Sequence, residues 1–209
     1  MQIPYGIHYI DKKDINNVSK LLKSKFITQG PLVEKFEKTI CKYLGVKYAV
    51  AISSCTAGLH LAVKAIFKKK SKIITSPVSF VSTGNSILFN DLKPVFVDID
   101  YGNLNIDLIE LEKAIRKTKN IRAIMPVHLG GLAAGSKKLY NIAKKNKLFV
   151  IEDAAHSFGG KYEDGSMVGS CKYADMTVFS FHPVKTITTG EGGMVTTNSK
   201  KLYQKLLLL

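Results

Sequence analysis

From Lys47 onward the chain alternates short, almost uninterrupted apolar runs with amphipathic segments. "KYAVAIS" (47–53), "KIITSP" (72–77), "KPVFVDI" (93–99) and "IRAIMPV" (121–127) read as strands. Helical patterns follow them in turn: Thr56 to about Lys69, Ser79 to about Asn90, 107–117 and 136–146. In 107–117 the stretch "DLIELEKAI" spaces its apolar residues three and four apart, as one face of a helix requires. A strand that is apolar throughout must be covered on both faces, and parallel strands need a crossover, usually a helix, between them. The rhythm therefore predicts an α/β fold, a mostly parallel sheet with helices on both faces. "KLFVIED" (147–153), "DMTVFSF" (175–181) and "GGMVTTN" (192–198) add three strands, and a further helix opens at Ser199. Two amphipathic helices, near 11–24 and 31–44, precede the alternation. With 209 residues, 45% of them hydrophobic, the chain can bury one substantial core. No internal repeat or Ser/Gly-rich linker divides it, so residues 1–209 read as one domain.

A formal net charge of +15 raises the question of a nucleic-acid partner. Only Arg116 and Arg122 are arginines, however, and bidentate recognition of phosphates and bases favours arginine. The lysines are dispersed on polar faces, as in "SKLLKSK" and "NIAKKNK", and read as a solvated surface. No nucleic acid is expected, although the positive field would attract a small anionic substrate. No apolar run is long enough to cross a bilayer, and "MQIPYGIHYIDKK" lacks the apolar stretch of a signal peptide. Cys41, Cys55 and Cys171 are odd in number and lack metal-ligand spacing, which fits a reducing compartment. The five histidines are scattered without an HxxxH pair, so no metal site is expected. These features together predict a cytoplasmic protein without membrane attachment.

In open α/β sheets ligands bind beyond the carboxyl ends of the strands. At the first such end Ser53, Ser54 and Thr56 precede a helix. Hydroxyls and free backbone N–H groups there can hold a phosphate, or the serine can simply cap the helix. The stretch has neither a P-loop lysine nor a GxGxxG, which argues against nucleoside triphosphates and dinucleotides. "FVIEDAAHS" closes a buried strand with Glu152 and Asp153, and His156 follows three residues on. A carboxylate there is costly unless a cation answers it, and capping of the next turn is the alternative role for Asp153. The two carboxylates alternate across the strand and should not face each other, which disfavours a glycosidase-like acid/base pair. In "FSFHPVKTITTGEGG" (179–193), Lys185 follows a strand end that carries Ser180 and His182. Pro183 restrains the residue before it, and Gly190, Gly192 and Gly193 permit a tight return. A lysine, an aspartate and a phosphate cradle at separate strand ends are the parts a pyridoxal 5'-phosphate (PLP) site needs. Phe80, opening a helix, is placed either to lie against the ring or to fill the core.

These segments resemble the DegT/DnrJ/EryC1/StrS sugar aminotransferases. The resemblance runs from "IPYGIHYIDKKDI" and "ITQGPLVEKFE" through "ISSCTAGLHLA", "SPVSFVST", "PVFVDID", "PVHLGG" and "IEDAAHSFGG" to "SFHPVKTITTGEGG". It implies the type I PLP-dependent, aspartate aminotransferase-like large domain. It also implies that Lys185 carries the cofactor covalently, that Asp153 pairs with the pyridine nitrogen, and that His156 approaches the ring hydroxyl. Cys55 and Thr56 would hold the phosphate, with Ser180 assisting, and Phe80 would stack on the ring. Some dehydratases in the group have histidine where this chain has Lys185, so transamination is the expected reaction. The motifs look most like those of the pseudaminic acid pathway. That implies a UDP-linked 4-keto-6-deoxy-N-acetyl sugar as substrate, L-glutamate as amino donor and a homodimer. The alternatives are another nucleotide-linked 4-keto-6-deoxy sugar, such as a dTDP or GDP sugar, or a non-catalytic fragment. Family members continue past the point where this chain stops. The resemblance therefore implies a large domain truncated at its C-terminal end, with the small C-terminal domain absent.

Overall fold

A computed structural model describes residues 6–67, 70–133 and 135–209. Residues 1–5, which include the start of the first resembling segment, and Lys68 and Lys69, where the first strand-following helix was expected to end, lie outside the described residues. Two helices, α1 (Lys12–Leu22) and α2 (Pro31–Leu44), precede the sheet. Asp11 caps α1 through a reciprocal pair of hydrogen bonds with the first turn, and Pro31 opens α2. The alternation then runs β1 (Tyr48–Ile52), α3 (Cys55–Ile66), β2 (Lys72–Thr75), α4 (Val81–Leu88), β3 (Lys93–Phe96) and α5 (Leu108–Lys117). It continues through β4 (Ile121–Met125), α6 (Ser136–Lys145), β5 (Phe149–Asp153), β6 (Met176–Ser180), β7 (Gly193–Thr197) and α7 (Lys200–Leu208).

The seven strands form one sheet in the order β1-β7-β6-β5-β4-β2-β3. The pairs β2–β3, β2–β4, β4–β5 and β5–β6 are parallel, while β7 runs against both β1 and β6. The sheet is thus mostly parallel, as the rhythm predicts, with a single reversed strand. The strand expected over 93–99 is shorter than its apolar run. β3 stops at Phe96, and Ile99 pairs only with Ile106 in an isolated antiparallel bridge.

Alternate residues of each strand face opposite layers. Val50, Ile73, Met125, Ile151, Val178 and Val195 join Leu59 of α3, Ile87 of α4 and Leu202 and Leu206 of α7 in one core layer. On the other face Ile74, Ile124 and Val150 meet Leu111 of α5 and Leu139 of α6. Ala49, Phe179 and Met194 meet Ile40 and Leu44 of α2 on that same side. This sandwich directs the carboxyl ends of β1, β4, β5 and β6 toward one edge, where the loops meet. Among the described residues no helix is long and apolar enough to cross a membrane.

Candidate active site

At that edge lies a cavity of about 250 Å³. Its walls include Cys55, Thr56, Phe80, Asp153, His156, Ser180 and Lys185, the whole set singled out in the sequence. They arrive on four segments that leave the sheet: the starts of α3 and α4, the end of β5, and the end of β6 with its following loop.

Ser54 caps α3, its hydroxyl accepting from the Ala57 amide at 3.2 Å, so the capping role foreseen for this stretch is the one Ser54 fills. Cys55 and Thr56 open the helix, with its unpaired N–H groups, onto the cavity. The close approach of β7 sets this corner. A Cβ on Gly193 would lie 2.8 Å from the Cys55 nitrogen and the Phe179 oxygen. Gly193 is therefore required for space, and a Cβ on Gly192 would likewise strike the Thr189 hydroxyl at 2.3 Å. Only Gly190 of the three takes the left-handed backbone, at φ 82°.

Asp153, 3% exposed, ends β5. Its partners are neutral: the Thr83 hydroxyl donates to Oδ2 at 2.6 Å, the Ala155 amide donates to Oδ1 at 3.2 Å, and the Cys55 thiol lies 4.0 Å from Oδ1. Burial, with the Asp153 carboxylate second, raises the Cys55 thiol well above its ordinary value, so it stays protonated. His156 is half-buried. Burial and then the Lys185 ammonium lower its pKa against the opposing pull of Asp153, which keeps the ring neutral near pH 7. Lys185 sits on the β6–β7 loop, its amide donating to the His182 carbonyl at 2.9 Å. Ser180, at the end of β6, is buried. Phe80 is 70% exposed at the start of α4. It lines the cavity, so the core position left open for it is not the one it takes.

Glu152 points to the opposite side of β5, as strand alternation requires. The Tyr162 hydroxyl donates to its two oxygens at 3.0 and 2.8 Å, and the Thr177 hydroxyl donates at 2.6 Å. Burial alone would raise its pKa, but His128, Thr177 and Tyr162 together hold it below the usual carboxylate range. The sequence reading passed over two residues of this region. Thr83, in the first turn of α4, is buried against Asp153, and nothing in the sequence pattern marks it. His128 lines the cavity from the end of "PVH", a strand-end position of the kind that ligand-binding side chains occupy.

Solved and curated proteins are similar to this chain in sequence and fold. A UDP-4-amino-4,6-dideoxy-N-acetyl-beta-L-altrosamine transaminase of Campylobacter jejuni is 41% identical over 208 residues, covering 99% of this chain and 54% of its own length. The structure of Helicobacter pylori PseC, described as an aminotransferase involved in the biosynthesis of pseudoaminic acid, matches with a TM-score of 0.91 at 35% identity. That match covers 100% of this chain and 55% of PseC. The Streptococcus pneumoniae protein Spr1654, solved in its PLP form, matches with a TM-score of 0.92 at 28% identity, covering 100% of this chain and 58% of its own. The chain spans about half the length of the curated relatives it matches. The model of the DegT/DnrJ/EryC1/StrS aminotransferase family matches residues 8–209, and the chain belongs to that family.

Proposed function

We propose that residues 1–209 form a PLP-binding large domain that moves an amino group from L-glutamate to C4 of a UDP-linked 4-keto-6-deoxy-N-acetyl sugar, as in pseudaminic acid biosynthesis. The protein acts in the cytoplasm as a homodimer. The observation that carries this reading is the meeting of Lys185 and Asp153 in one cavity with the N-terminus of α3. The residues fit the cofactor. A buried carboxylate with only neutral partners is suited to a protonated pyridine nitrogen, and an open helix start is suited to a phosphate. The named relatives support the sugar and the reaction.

PLP, when bound, supplies an electron sink for the carbon that loses or gains the amino group. Lys185 would offer the amine that holds the cofactor, and the same amine, when free, would hold and move a proton. Asp153 would keep the ring nitrogen charged, Thr83 fixes that carboxylate, and neutral His156 would meet the ring hydroxyl. The backbone of Cys55 and the hydroxyls of Thr56 and Ser180 would hold the phosphate, and Phe80 would cover the ring. Donor and acceptor use one site in succession, which gives ping-pong kinetics. Exposed Val81, Leu88, Phe89 and Phe96 along α4 and β3 give a second copy an apolar surface to bury.

Borohydride treatment of the PLP-loaded protein, followed by peptide mapping, tests the assignment. The label is expected on Lys185, and a label on any other lysine rejects it. A panel of UDP-, dTDP- and GDP-linked 4-keto sugars with glutamate then identifies the acceptor by product mass.

A further inference from the structure

Glu152 takes no part in the chemistry above, yet at 1% exposure it is as buried as the core. Besides its two hydroxyl donors, the ring of His128 approaches it, with Nε2 3.2 Å from Oε1. That nitrogen is buried and makes no hydrogen bond of good geometry, so Glu152 is the polar group that faces it. The His128 ring is itself buried and stands edge-on to Tyr162. Replacing a buried ionised group and its partners by apolar side chains is often neutral or stabilising, so stability alone does not account for Glu152.

The pair ties together the parts of the cavity wall. His128 lines the cavity together with Val127 and Leu129. The His128 amide donates to the Asp153 carbonyl at 3.0 Å, and the Asp153 amide donates to the Pro126 carbonyl at 2.9 Å. The Ser157 hydroxyl donates to the His128 carbonyl at 3.4 Å. Segment 126–129 is thus laced to segment 153–157, which carries Asp153 and His156. Glu152 provides the side-chain tie from the far face of β5.

We propose that Glu152 is a positioning residue for the cofactor seat: through His128 it holds the wall Val127–Leu129 against the strand end that presents Asp153, without touching the ligand. The proposal rests on the PLP reading above. The test is PLP titration of the apo-protein for wild type, Glu152→Gln, His128→Gln and the double variant. It records the dissociation constant, the induced visible circular dichroism of the bound cofactor and the melting temperature. Glu152→Gln is expected to keep the visible band and borohydride labelling at Lys185. Its dissociation constant should rise about tenfold, as loss of a supporting residue does at bound ions, with an altered dichroism. His128→Gln should match it, and the double variant should add little, because one contact is removed either way. Unchanged affinity and dichroism with only a lower melting temperature would overturn the proposal, as would independent, additive effects. If Glu152→Gln does not fold, unaltered PLP affinity in His128→Gln overturns it. Absence of a visible band in the wild type removes the PLP reading and this inference together; a normal wild-type band with unaltered variants removes this inference alone.

Discussion

Asp153 and His156 show how neighbouring residues divide the electrostatic work of the cavity. The Asp153 carboxylate is answered only by dipoles, so Asp153→Asn keeps the shape and its contacts with Thr83 and Ala155 while removing the charge. Hydrogen bonds to a charged group contribute roughly 1.5–3 kcal/mol, so transamination is expected to fall at least ~10- to 100-fold. Steady-state rates under saturating PLP would show it. His156 is lowered by burial first and by the Lys185 charge second. Removing that charge in Lys185→Ala should therefore move the imidazole titration upward, toward its ordinary range, in an NMR pH series. An unmoved or downward midpoint would mean that the lysine ammonium does not act on this ring.

The corner where β7 meets α3 shows the same economy of space among elements. A side-chain carbon at Gly193 would press on backbone atoms of Ser54, Cys55 and Phe179, all at 2.8 Å, and none of these can rotate away. Gly193→Ala is expected to cost about 1–3 kcal/mol, the usual penalty of overpacking, read as a lower urea midpoint. Much of the element order was legible in the sequence because apolar periodicity reports burial directly. The direction of β7 was not. "GMVTT" is buried on both faces, so it lacks the alternation that marks a half-exposed strand and reads the same in either direction. Nor was the glycine requirement read correctly there. Gly192 and Gly193 suggested a tight turn, whereas the structure uses them for clearance. All seven proposed site residues reached one cavity because each was tied to a strand end. Thr83 sits in the first turn of α4, where a threonine gives no outward sign of a buried partner.

Across the whole molecule, stability should carry the signature of Glu152. A carboxylate whose folded pKa lies below its unfolded value contributes stability that is complete above the unfolded value. That contribution is lost as pH falls through the folded one. Acid unfolding of the wild type should therefore steepen below the ordinary carboxylate range, and Glu152→Gln should flatten that limb in denaturant melts taken across acidic pH. An unchanged slope would place the acid sensitivity in other carboxylates. The reversed strand has a separate consequence. Because β7 pairs Gly193 with both Ser180 and Ile52, the segment bearing Lys185 leaves and re-enters the sheet on the same row of atoms. Both anchors of that segment are set when the strands pair, before any ligand arrives. Under the proposed function, an incoming substrate would meet Lys185 on a segment whose two ends are already fixed, and less of its binding energy would go to ordering that segment.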